Sequence, residues 1–214
     1  MRERFIFYLL LVFLTIIMAC NSSKLRPQEY VRWVENEDHG IRISKRISDI
    51  KYTLQYEPLP YLVAIDEKQQ VLSKKLLEEG IKRKEGMQYY LFRIESKGSE
   101  KDILKIGLAN NSKACYGDLV QYMSFDMQYD IQLIEGNDSL PCKLYQLERS
   151  YEITPYVYIL LAFDDPNNNS SETEKTAFDK ILIYKDKVFS SGTVRMQIKA
   201  KDIEKIPSII VKEI

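Results

Sequence analysis

The sequence predicts an α+β fold that is mostly β, with antiparallel, sandwich-like sheets, one longer helix over about 66–84 and a short N-terminal helix over about 27–36. Three observations carry this reading. Apolar and polar residues alternate in short segments along most of the chain, turn-forming residues separate those segments, and only two stretches show apolar residues at helical spacing. The chain has 214 residues with 31 Lys+Arg against 31 Asp+Glu, one His, 8 Gly and 7 Pro. A formal charge of zero supplies no basic field for nucleic acid, and a composition that is 45% hydrophobic and 29% charged is that of a globular chain.

Arg2 and Arg4 precede an uncharged run from Phe5 to Ala19. A basic start, an apolar segment shorter than the about 20 residues of a membrane span, and a small residue at its end have the form of a secretory signal peptide over 1–19. The polar residues Asn21-Ser22-Ser23-Lys24 after Cys20 suit a tether, read as 20–26. Without 1–19 the chain loses two basic and one acidic side chain, so it stays within one charge of neutral and electrostatics names no partner. Phe5, Phe7, Phe13 and Tyr8 leave with the same segment, so most of the 15 Tyr but few of the Phe remain. Tyrosine joins an apolar ring to a polar tip, which suits half-wet strands and surfaces that bind sugars or peptides.

Pro27 opens the first helix, and Tyr30, Val31, Trp33 and Val34 recur at one-turn spacing until His39-Gly40. Ile41 and Ile43, then Ile50, Tyr52, Leu54 and Tyr56, alternate with polar neighbours as strands do. Pro58-Leu59-Pro60 interrupts, and Tyr61–Ile65 is a short apolar run. The segment 66–84 places Val71, Leu72, Leu76 and Ile81 near helical spacing, with Lys74, Lys75, Glu78 and Glu79 on the polar face. Tyr89–Ile94 and Ile103–Leu108 read as strands. The sharpest alternation is 123–133, where Met123, Phe125, Met127, Tyr129, Ile131 and Leu133 are set against polar neighbours, which predicts one long strand. Gly136-Asn137-Asp138-Ser139 supplies a turn, Leu144–Leu147 a return strand, and Tyr156–Phe163 a strand buried on both faces. A polar loop at 164–175 precedes strands at Ile181–Tyr184 and Val194–Ile198. The mature domain, 27–214, reads either as one unit or as an α+β part and a β part divided near 85.

Candidate chemistry is sparse. His39, the only histidine, sits beside Gly40 in a turn, and no nucleophile motif, Walker loop or G-x-G-x-x-G accompanies it, so no catalytic residue is assigned. Cys115, Cys142 and His39 have no zinc-ligand spacing. Asp164, Asp165, Asn167, Asn168, Asn169 and Glu172 offer oxygens but lack the calcium-loop frame, so neither a metal nor a cofactor is expected. Cys115 and Cys142 are candidates for a disulfide in an oxidising compartment, although pairing 123–133 with 143–149 would hold them far apart unless the chain bends. Glu148-Arg149 is a charge pair whose members face opposite ways on a strand.

Ile17-Met18-Ala19-Cys20 resembles a bacterial lipobox. That resemblance implies cleavage after Ala19 and diacylglycerol on the Cys20 sulfur, a thiolate chemistry serine does not readily replace. Neither an Asp directly after Cys20, the familiar enterobacterial inner-membrane signal, nor an acidic export run is present, so the resemblance implies an outer-membrane lipoprotein facing the periplasm. The segments Ser124–Ile131, Asp138–Cys142 and Leu144–Tyr151 resemble uncharacterised outer-membrane lipoproteins of the Bacteroidota, and Tyr30–Asn36 looks similar to the start of their mature domains. The family has no chemistry attached. The expectation is a membrane-anchored, non-enzymatic domain that binds an envelope protein or glycan, or scaffolds an envelope assembly. A carboxylate-based periplasmic hydrolase and an immunity-type inhibitor are the alternatives.

Overall fold

The computed structural model describes residues 24–67, 71–97, 103–110, 115–148, 154–166, 168 and 178–213. The signal segment, Cys20, Arg149 and, in the polar loop, Asn167, Asn169 and Glu172 lie outside the described residues.

The fold is mostly β with antiparallel sheets, as the alternation predicts. Strands β2 (Arg42–Ile47), β3 (Ile50–Glu57), β4 (Met87–Ser96), β7 (Leu144–Glu148) and β8 (Tyr156–Asp164) form a five-stranded sheet in the order β2-β3-β4-β8-β7. A four-stranded sheet of β5 (Ile131–Glu135), β6 (Asp138–Pro141), β9 (Lys180–Lys185) and β10 (Thr193–Ile198) has the order β10-β9-β5-β6. Every pair within these sheets is antiparallel. The sheets face each other across a layer of aromatic rings. Tyr184 on β9 meets Tyr52 of β3 at 6.3 Å and Phe92 of β4 at 5.9 Å between centroids, and all three side chains are fully buried. Burying one such ring removes roughly 150–250 Å² from water, so this layer is a principal source of stability. The β3–β4 pairing runs across position 85, and one hydrophobic cluster extends from Tyr30 to Ile198.

Helix α1 spans Pro27–Glu35 with Pro at its first turn and buries Tyr30 and Val34. A 3₁₀ turn, Glu37–His39, follows, and Gly40 closes it at φ +77°. A Cβ at Gly40 would come within 2.7 Å of Asp202 Oδ2, so glycine answers both conformation and space there. A third, two-stranded element pairs β1 (Lys24–Leu25) in parallel with β11 (Ser208–Ile209). Lys24 and Leu25, expected in the tether, are thus part of the fold, because Leu25 packs against the core.

The structure corrects four other readings. Of the single helix expected over 66–84, Lys74–Lys82 forms helix α3, while Asp66 and Glu67 end an earlier helix, α2 (Leu59–Glu67). Ser73 caps α3 by accepting from Leu76 N at 3.2 Å, a start signal inside the expected helix. α2 and α3 touch where an added Cβ at Gly80 would lie 2.6 Å from Val63 Cγ2. The Tyr61–Ile65 run is the body of α2, and Ile103–Leu108, expected as a strand, is helix α4 (Ile103–Asn110). The long strand over 123–133 is mostly helical. Helix α5 (Tyr116–Gln121) runs into a π-helical turn at Tyr122–Asp126 and a 3₁₀ turn at Met127–Asp130, and only Ile131–Glu135 is strand. Period two contains period four, so Met123 and Met127 share a buried helical side while Phe125 and Tyr129 share an exposed one. Finally, Leu144–Glu148 pairs with β8 in the five-stranded sheet, and β5 instead turns through Gly136 into β6. Helix α6 (Ala200–Ile203) is a single turn before β11.

Candidate functional site

Three places gather polar chemistry among the described residues. The first lies between the sheets. Glu135 on β5 and Lys180 on β9 are direct cross-strand partners, with Lys180 Nζ donating to Glu135 Oε1 at 2.6 Å. Gln88, from β4 of the opposite sheet, donates to Glu135 Oε2 at 2.7 Å and to Asp164 O at 3.0 Å, while Tyr90 donates to Gln88 Oε1 at 2.7 Å. All four side chains are buried. Such a closed network, with each charge answered, pins the two sheets in register and leaves no group free for a substrate.

The second lies at α1 and α2. Pro27, Gln28, Val31, Arg32 and Glu35 of α1, with Ala64 and Ile65 of α2, line a cleft of about 480 Å³. Arg26, Gln28, Glu29 and Arg32 line a smaller one of about 270 Å³. Glu35 accepts from Tyr61 Oη at 3.1 Å. Nearby, β3 turns Thr53, Gln55 and Glu57 to the face opposite Tyr52 and Leu54, and all three are buried. Gln55 Oε1 accepts from Arg42 at 2.6 Å, while its buried Nε2 has no hydrogen-bond partner among the described residues. Burial, then repulsion from Glu148 and Glu35, pushes the Glu57 carboxyl up to about 7 despite attraction from Arg42. Glu57 is only 4% exposed, and each of the two clefts is lined by one carboxylate, Glu35 or Glu29.

The third is the face of the five-stranded sheet turned away from the other sheet. It displays Tyr89, Leu91, Arg93 and Glu95 of β4 beside Tyr156, Tyr158 and Leu160 of β8, each half-buried, and then Gln146 and Glu148 of β7, both exposed. The Arg93 guanidinium lies 4.2 Å from the Tyr156 ring centroid and 5.6 Å from that of Tyr158. Its Nη2 donates to Glu95 at 2.6 Å, and its buried Nε has no hydrogen-bond partner among the described residues. The two tyrosine rings are 5.2 Å apart. A guanidinium fixed by rings and a carboxylate, among further Tyr, Gln and Glu side chains, offers stacking and planar hydrogen bonding.

Of the residues singled out in sequence, Cys115 and Cys142 are unbridged. Cys115 is exposed, and Cys142 is half-buried with its Sγ donating to Leu144 O at 3.0 Å. Burial pushes the Cys142 thiol up to about 11, so it is not a nucleophile at neutral pH. His39 stacks on Trp33 at 4.2 Å between centroids, with Nδ1 at 2.8 Å from Trp33 O, and serves the turn after α1. Among the described residues no group of three His, Cys, Asp or Glu could hold a metal ion, and no helix is long and apolar enough to cross a membrane. Sequence reading missed the Glu135–Lys180 pair, Glu57 and Arg93. Only Arg93 left a signal, as the lone charge inside the apolar run Tyr89–Ile94.

No family model and no curated protein matches the chain. A solved structure of a DUF4426 family protein from Pseudomonas aeruginosa PAO1 is similar at 7% identity, covering 73% of this chain and 90% of that one, with a TM-score of 0.33. A likeness at that score carries no argument about fold or function.

Proposed function

We propose that the chain is a bacterial envelope lipoprotein, held by lipid on Cys20 to the outer membrane on its periplasmic side. Its β-rich domain binds or scaffolds an envelope protein or glycan without catalysis. The observation that carries the binding reading is the Arg93–Tyr156–Tyr158 face, which combines ring stacking with fixed planar polar groups on a half-exposed sheet. Support for the anchor is the lipobox-like Ile17-Met18-Ala19-Cys20. Cys20→Ser is expected to abolish palmitate labelling and detergent-phase partitioning; a variant that stays membrane-bound overturns the anchor. Pull-downs from solubilised envelope, together with glycan arrays, are expected to yield a ligand that Tyr158→Ala loses. Binding unaffected by that substitution, or no ligand at all, overturns the assignment of the face.

A carboxylate-based hydrolase is the second reading, and the raised carboxyl of Glu57 favours it as a proton donor poised near neutrality. It requires substrate to reach a side chain that is 4% exposed. Hydrolysis of envelope glycans that Glu57→Gln eliminates would establish it over the binding reading.

A further inference from the structure

The chain enters the described fold at Lys24, and the surface around that point is built from three segments tied together by backbone hydrogen bonds. β1 lies along β11, Ile210 N donates to Leu25 O at 2.7 Å, Lys212 N donates to Leu72 O at 2.9 Å, and Lys74 N donates to Lys212 O at 3.0 Å. Two of the six exposed large apolar side chains among the described residues are here, Val71 and Ile210, each 44% exposed. Around them Lys24, Lys74 and Lys212 are exposed. None of these three cations makes an ion pair among the described residues, whereas Arg26 is held by Glu29 at 3.0 Å. The exposed Glu213 is the acidic group beside Lys212.

We propose that this surface docks on the bilayer that carries the anchor, with Val71 and Ile210 at the headgroup boundary and Lys24, Lys74 and Lys212 against anionic phospholipid headgroups. The proposal rests on the lipid-anchor reading of Cys20. Only Asn21, Ser22 and Ser23 separate Cys20 from Lys24, and four Cα steps reach at most about 15 Å. Lys24, where an anchored domain begins, is therefore held within two Debye lengths of the lipid, each about 8 Å at physiological ionic strength. Tethering raises the local concentration of headgroups, and each cation near an anionic surface strengthens partitioning roughly fivefold. Aliphatic side chains ringed by lysines match an interface whose apolar layer begins just beneath its charges.

Trp33, the only tryptophan, lies on α1 and reports the distance. Energy transfer from Trp33 to dansyl-labelled lipid is measured with the full-length mature protein in phosphatidylcholine vesicles with and without phosphatidylglycerol. Transfer is expected to be at least twofold higher with phosphatidylglycerol, and to fall to the phosphatidylcholine level at high salt and in the triple variant Lys24→Glu, Lys74→Glu, Lys212→Glu. Transfer that is equal in both vesicles, or indifferent to salt and to the triple variant, overturns the docking surface. Mass spectrometry of the Cys20 peptide reports the anchor separately. If that peptide lacks lipid the anchor reading fails, and co-sedimentation of the unlipidated protein with phosphatidylglycerol vesicles then decides the surface alone, with salt-sensitive binding expected and its absence overturning it.

Discussion

Glu135 and Glu57 are two carboxylates buried to nearly the same depth in one sandwich, at 3% and 4% exposure, and the fold treats them in opposite ways. Glu135 is met by Lys180 and Gln88, so its charge is answered from both sheets. Glu57 has no ion pair among the described residues, and burial together with like charges nearby raises its carboxyl to about 7. Depth alone therefore does not decide what a buried acid does. The partners brought by other elements decide whether it is a structural strut or a titratable group.

Breaking the first carboxylate's pairing has the largest expected effect. Lys180→Met leaves Glu135 as an uncompensated buried charge and should cost about 3–5 kcal/mol. Adding Glu135→Leu should restore much of that loss, both read from urea denaturation. If Lys180→Met alone is neutral, the pair is not a strut.

The second carboxylate is expected to make stability fall as pH rises. From its ordinary value of 4.5 to about 7 the folded state holds a proton on Glu57 that the unfolded chain has released. Each pH unit in that window removes roughly 1.4 kcal/mol, toward a loss on the order of 3 kcal/mol that is complete above it and absent below it. Glu57→Gln should flatten this dependence and be more stable than the wild type at alkaline pH, measured by denaturant midpoints across the window. An unchanged slope would assign the dependence to another group. The smallest effect is expected from Arg42→Met, which removes the cation that attracts Glu57 and the donor to Gln55 Oε1. It should cost about 1 kcal/mol and move the Glu57 titration upward; a downward move would contradict the electrostatics.

Much of the sandwich is legible in the sequence because period-two alternation survives wherever one face of a strand meets the core, as at Ile50–Tyr56 and Val194–Ile198. Residues 123–130 are the instructive failure. Their alternation serves a helix as well as a strand, and two contacts accompany the helical choice, a remote one from Tyr145 Oη to Met123 O and a nearer one from Tyr122 Oη to Asp130 at 2.8 Å. Ser73 is a start signal that the apolar spacing of 66–84 conceals. The sites are less legible. Lys180 and Glu135 are ordinary surface-type residues until β9 is laid against β5, and Glu57 continues the polar side of a strand that becomes buried only in the assembled fold. Proximity of that kind is a property of topology, which local pattern does not encode.

The pairing of β1 with β11 has a consequence for the order of assembly. Synthesis presents Lys24–Leu25 long before the partner Ser208–Ile209, which follows only after both sheets of the sandwich. The contact closes nearly the entire domain into one loop, so its entropic cost is met only after the sheets between have formed. The first strand of the fold is then the last to be secured, and a truncation before Ser208 should release it while sparing the aromatic layer of the sandwich.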